Sequence, residues 1–242
     1  MAWAYLFFAA ASMPSTDGSG IAGSGMAGMA ALREWGPSDF GLMFLMWAVM
    51  MVGMMVPTAT PMALIYASVA RKAASQGAVL APTAAFVSGY VAIWCAFSLA
   101  ATLLQWQLHR AALLSPMMVL NSGTLGAGLL IVAGLYQMTP LKEACLRHCR
   151  SPMHFIAEHW RTGTLGAVRM GFEHGVYCLG CCWILMLLLF VGGVMNLLWI
   201  ALITAFVLLE KVAARGAAGG RVAGVAMVTV GVVILLRSGG AI

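Results

Sequence analysis

The stretch Phe40–Ala70 carries no charged side chain over its whole length, and it constrains the chain more than any other feature. An uncharged apolar run longer than about 20 residues matches the hydrocarbon core of a bilayer, where a helix satisfies every backbone hydrogen bond within one segment. Similar runs cover Ala78–Leu108 and Ala111–Met138, and shorter ones cover Val176–Gly192, Leu197–Leu209 and Val222–Leu236. Only 8% of the 242 residues are charged, against about 25% in soluble domains. That is too little polar surface to coat a soluble globule of this size.

The expected fold is therefore all-α, a polytopic transmembrane helical bundle of about six spans plus a short amino-terminal helix. The whole chain, 1–242, reads as one integral membrane domain. Residues 1–12 read as a short or trimmed first helix, because no basic residue precedes Arg33 as a signal peptide requires. Residues 13–39 read as a flexible Gly/Ser-rich loop. Three spans are expected over 40–138, a polar section over 139–174 and three further spans over 175–237. Pro57 and Pro61 predict a kink or a break in the Pro/Met-rich second helix. Within the polar section, Pro152–Arg161 reads as an amphipathic interfacial helix, with Trp160 at the headgroups and His154 and His159 facing solvent.

A net charge of +6 resembles a nucleic-acid signal, but the basic residues sit in short loops, where they act as a topology signal. Arg71 and Lys72 lie in one loop, Lys142, Arg147, Arg150, Arg161 and Arg169 in the polar section, and Lys211, Arg215 and Arg221 before the last run. These alternate loops are expected to face the cytoplasm, in a bacterial inner membrane, with the carboxyl end outside. Nucleic acid is excluded as a partner; the lipid bilayer is the first one expected. No phosphate-binding loop, dinucleotide fingerprint or esterase elbow occurs, so nothing calls for catalysis.

Two cysteine groups flank the polar section. Cys145 and Cys149 are four apart and share a helix face, with His148 beside them. Cys178, Cys181 and Cys182 follow, with His174 one turn earlier. Paired cysteines at such spacings build thiolate sites for soft or borderline metals, and a cytoplasmic setting disfavours stable disulfides. Cys95, alone within an apolar run, reads as a small buried hydrophobe. Met50, Met51, Met54 and Met55, with Met43 and Met46, form two neighbouring rows at helical spacing. Thioethers select Cu(I) and bring no buried charge. Packing is the competing account, since methionine and cysteine are ordinary apolar filler. Glu210 follows an apolar run and pairs on paper with Lys142 or Arg147; a solvated helix end explains Glu210–Lys211 equally well.

The segments "WAVMMVGMMVPTATP", "YQMTPLKEACLRHCRSP" and "GVYCLGCCWILMLLLFVGGVMN", with the later "EK" at Glu210–Lys211, resemble the predicted metal-binding integral membrane proteins, a bacterial domain-of-unknown-function family. The resemblance implies metal binding without a settled activity, metal or substrate. The leading expectation is a membrane protein that binds a soft metal, Cu(I) before Zn(II), and relays it across the bilayer or to a metal chaperone or other membrane protein. Its ligands would be Cys145, Cys149, Cys178, Cys181 and Cys182, then His148 and His174, with Met50, Met51, Met54 and Met55 as the relay. Two alternatives remain open: a Zn(II)-stapled accessory subunit of a membrane complex, and a membrane thiol oxidoreductase using Cys178, Cys181 and Cys182 with a quinone.

Overall fold

The computed structural model describes residues 35–77, 81–115, 118–213 and 216–239. The expected helix over 1–12, and the loop as far as residue 34, lie outside the described residues. The helices are α1 (Pro37–Ser75), α2 (Thr83–Arg110), α3 (Gly123–Gln137), α4 (Pro140–Arg150), α5 (Pro152–His159), α6 (Gly163–Leu187), α7 (Leu189–Gly192), α8 (Leu197–Val212) and α9 (Gly216–Gly239).

Helix α1 begins inside the expected loop. Pro37 occupies its first turn, and the Asp39 carboxylate accepts the Gly36 amide at 2.9 Å, a capping arrangement that starts the helix early. The helix runs on through Pro57 and Pro61, so the prolines remove two backbone donors without breaking it.

Four helices are long and apolar enough to cross a membrane: α1, α2, the stretch Gly163–Gly192 and Ala218–Ser238 within α9. A fifth results if α3 and α4 count as one broken span bent by 64°. Six spans are not confirmed by this set, for two local reasons. Leu113–Ser115 pair back on Met118–Asn121 before the Ser122 cap, whose hydroxyl accepts the Leu125 amide at 3.3 Å; α3 is left with 15 residues. Helix α8 starts at the Asn196 cap and has 16 residues, about 24 Å at 1.5 Å per residue, short of a hydrocarbon core of about 30 Å.

The bend between α3 and α4 also has a sequence cause. Thr139 precedes Pro140, which forces it into extended geometry (φ −74°, ψ 146°), and its hydroxyl then caps α4. The polar section therefore splits: α4 and α5 fill its first part, while Gly163–His174 already belongs to α6. Helix α5 ends at His159, with Phe155 and Ile156 buried and His154 exposed. His159 is half-buried, its ring stacked on Phe155 at 4.6 Å.

Helices α2 and α6 pack closely enough that a Cβ on Gly89 would overlap the Val168 carbonyl, and one on Gly171 would overlap the Phe86 carbonyl. Small residues at such crossings let membrane helices approach backbone to backbone. This crossing holds Tyr90 of α2 against the cysteine turn of α6. A single buried cluster then gathers Met46, Met50, Met51, Met54 and Met55 of α1 with Cys178, Cys181 and Cys182 of α6.

Candidate metal centre

Cys178, Cys181 and Cys182 lie at i, i+3 and i+4 on α6, so their side chains share one face, and all three are buried. Helix α4 lies across that face. Cys149 comes within hydrogen-bonding reach of Cys178 and Cys181. Cys145 packs against Gly180, where a Cβ would sit 2.8 Å from its sulfur; the glycine is the cradle for that thiol. Tyr136 donates to the Gly180 carbonyl and ties α3 to the same turn. The 64° bend thus folds the Cys145–Cys149 pair back onto the trio.

Cys178 is the hub. Its sulfur lies 3.1 Å from the Lys211 ammonium and 3.1 Å from the Tyr90 hydroxyl. Lys211 also donates to the Thr58 hydroxyl at 2.9 Å. Thr58 and Tyr90 both reach the Met55 carbonyl, at 2.9 and 3.0 Å, and the Thr58 hydroxyl lies 4.0 Å from the Met55 sulfur. Hydroxyl and sulfur contacts therefore run without a break from Cys178 to the first methionine of the row. No salt bridge forms at Lys211 among the described residues; its ammonium contacts the Cys178 sulfur and the Thr58 hydroxyl.

Cys181 and Cys182 are turned inward, each thiol donating to the Cys178 carbonyl, at 3.1 and 2.9 Å. Among the described residues, no group of three or more His, Cys, Asp or Glu side chains is already arranged to hold a metal ion. Cys178, Cys181 and Cys182 share one buried cluster.

Beside them opens a cavity of about 210 Å³ lined by Thr58, Met62, Cys149, Arg150, His174 and Lys211, among others. His174 is 3% exposed, and its Nδ1 is buried without a hydrogen-bond partner. An unpaired buried imidazole nitrogen is rare and costly unless it has a further role. His148 stands differently. Its Nδ1 faces the Ala144 carbonyl at 3.0 Å, and its ring stacks on Tyr177 at 4.0 Å. Cys95 is half-buried rather than buried as expected, and all six cysteines are free thiols. Met50, Met51, Met54 and Met55 are each at most 1% exposed.

Next to this centre lies a buried ion pair. Glu210 accepts two contacts from Lys142, at 2.7 and 2.8 Å, and a third from Gln137 at 3.3 Å. Lys142, rather than Arg147, is the partner. Both Lys211 and Glu210 are buried, so the helix end is not a solvated one. Sequence reasoning missed Tyr90 and Thr58 as members of the centre, and took Lys211 for part of a motif only.

A family model described as PpoB2, copper chaperone, matches residues 44–234. The chain belongs to the PpoB2 copper chaperone family. Every motif that carried the resemblance noted above, from Trp47 to Lys211, falls inside the matched segment. No curated protein and no solved structure matches the chain. Membership in a copper chaperone family makes copper handling the frame for the sulfur centre.

Proposed function

We propose that the protein is a membrane-embedded Cu(I) carrier of the bacterial inner membrane, with the cavity beside Cys149 facing the cytoplasm. Cargo enters past Cys149 and His174 and is taken by Cys178 with Cys182 or Cys181; Cys145 and His148 flank the site. It then passes to Met55 and along Met54, Met51 and Met50. The observation that carries this reading is the buried chain of contacts from Cys178 through Lys211, Tyr90 and Thr58 to Met55.

Charge supports it as well. Cu(I) held by two thiolates has a net charge of minus one, and Lys211, 3.1 Å from Cys178, neutralises that charge in a medium where an unbalanced ion is costly. Loading requires the Cys182 thiol to leave the Cys178 carbonyl and release its proton to the aqueous side, while the Lys211 ammonium stays beside the Cys178 sulfur. Neutral thioethers then receive a cation from which the thiolates have been re-protonated or re-paired, a transfer suited to Cu(I) among biological metals.

The test is a Cu(I) titration of the detergent-purified protein against a chromophoric chelator under reducing conditions. Cys178→Ser with Cys182→Ser is expected to weaken binding at least about 100-fold, as losing metal ligands does. Met50→Leu with Met54→Leu is expected to leave equilibrium binding at the cysteines intact while slowing Cu(I) passage into proteoliposomes. Equal binding by the cysteine variant and the parent protein overturns the proposal. Stoichiometric zinc with methionine variants indistinguishable from the parent would instead assign the centre as a structural staple.

A further inference from the structure

We infer that a second soft-metal site lies at the opposite end of the bundle, formed by the thioethers of Met43 and Met118. The inference rests on Cu(I) being the cargo, and it supplies the far terminus that the methionine row otherwise lacks. Tyr90 and Gln105 both lie on α2, the first touching Met55 and Cys178 and the second touching Met43 and Met118. Fifteen residues of helix separate Tyr90 from Gln105, about 22 Å at 1.5 Å per residue, which is most of a hydrocarbon core. The twelve residues from Met43 to Met55 on α1 give about 18 Å by the same measure.

Gln105 is 1% exposed, and its amide has an unusual set of partners. Its Oε1 accepts the Trp47 indole N–H at 2.6 Å, which fixes which way the amide faces. Its Nε2 is then left pointing at two sulfurs, Met118 at 3.2 Å and Met43 at 3.7 Å. A buried amide is ordinarily satisfied by oxygen; thioether sulfur is a weak acceptor. Here the amide gathers two thioethers around one nitrogen. Each sulfur has two lone pairs, so the amide orients the side chain and leaves a second lone pair for a cation.

Met118 is also held in place by its backbone. Its φ is +57°, in the left-handed region that residues other than glycine rarely occupy. The hairpin enforces it: the Met118 amide donates to the Ser115 carbonyl at 2.8 Å, Ser115 to the Val119 carbonyl at 2.8 Å, and Leu120 to the Phe190 carbonyl at 2.9 Å. Backbone strain that the surroundings over-determine marks positions with a task beyond packing. Met43 and Met118 are half-buried, whereas Met46, Met50, Met51, Met54 and Met55 are buried. The row therefore opens at this end, where cargo can leave. The ligand class is a monovalent soft cation, Cu(I) or its probe Ag(I), because two neutral sulfurs exclude hard divalent ions.

The experiment is a Cu(I) titration against a chelator on the full chain in detergent. The background variant replaces all six cysteines, Cys95, Cys145, Cys149, Cys178, Cys181 and Cys182, with Ser; Met43→Leu and Met118→Leu are then added, swaps that conserve volume and keep the fold. The cysteine-free protein is expected to retain about one equivalent whose affinity changes less than about twofold between pH 6 and 8, since thioethers release no proton on binding. Adding the two leucines is expected to abolish that equivalent. In the otherwise unaltered protein, the two leucines alone should remove about one equivalent and leave the pH-dependent one, so the result does not hinge on the cysteine-free protein folding. Unchanged stoichiometry after Met43→Leu and Met118→Leu in the unaltered protein overturns the inference and leaves the cysteine reading standing. Unchanged stoichiometry after removal of the cysteines overturns the cysteine reading instead.

Discussion

Glu210 is the residue whose replacement tests most directly how the centre is held together. Its carboxylate takes two contacts from Lys142 and one from Gln137, and the Lys142 and Glu210 side chains are 3% and 4% exposed. Gly220 of α9 covers the pair so closely that a Cβ there would overlap the carboxylate. Removing one member of such a buried pair strands the other charge, at about 3–5 kcal/mol. Glu210→Gln preserves shape and one acceptor, so about 3 kcal/mol, the lower end of that range, is expected. Lys142→Met should cost about the same, because the carboxylate is then the stranded partner. The double variant Lys142→Met/Glu210→Gln strands no buried charge, and it should lie within about 1–2 kcal/mol of the parent protein. The cycle thus predicts a coupling above about 2 kcal/mol, at the upper end of measured pair couplings. Denaturant titration in mixed micelles, followed by far-ultraviolet circular dichroism, reads all four proteins. Because Lys211 follows Glu210 on α8, each single variant should also weaken Cu(I) binding. Single-variant costs under about 1 kcal/mol, typical of solvated pairs, would refute the idea that this pair is dry and fixes α8 against α3 and α4.

Two further outcomes follow from the packing around Cys178. Tyr90→Phe removes the hydroxyl shared by the Met55 carbonyl and the Cys178 sulfur; it should lower stability by about 1 kcal/mol, read from the thermal midpoint in detergent. Gly171→Ala places a Cβ inside the Phe86 carbonyl, where no rotamer change relieves the clash. It should cost about 1–3 kcal/mol or more and weaken Cu(I) binding by moving Tyr90 off Cys178. Gly41→Ala, with open space around it, is the control and should be neutral or slightly stabilising.

The parts of the site legible in the sequence are those set by helical spacing. Cys178, Cys181 and Cys182 read as one face because i, i+3 and i+4 always do, and the same holds for Cys145 with Cys149. The methionine row was legible for the same reason. What joins these faces was not. The bend that lays α4 on α6 begins at Thr139–Pro140, a visible break, but its direction depends on Tyr136 and on the glycine at 180 that admits Cys145. Tyr90 and Thr58 carry no local signal, since each is an ordinary residue of an apolar helix until α2 meets α6 and Lys211 arrives from α8. Glu210–Lys211 looked solvated because charges normally end a helix; α9 and α1 bury them from far along the chain. Six spans are not confirmed, because hydropathy does not distinguish an apolar turn, such as the one that pairs Leu114 with Leu120, from an apolar helix.

The unfinished geometry of the cysteine centre fits a carrier better than a store. A closed tetrahedral site presents its sulfurs to one point and binds with little rearrangement. Here Cys181 and Cys182 must each give up a hydrogen bond to the Cys178 carbonyl, at about 1 kcal/mol apiece. Each of these contacts competes with the metal while it is bound and reforms when it departs. They lower the affinity of the centre below what its thiols would reach unopposed, and they lower the barrier to release by the same means. Thioethers bind Cu(I) through neutral sulfur alone, so a cation moves from Cys178 to Met55 only if the thiolates are restrained in this way. Lys211 is placed to restrain them: it touches Cys178 and, through Thr58, the residue that contacts the Met55 sulfur.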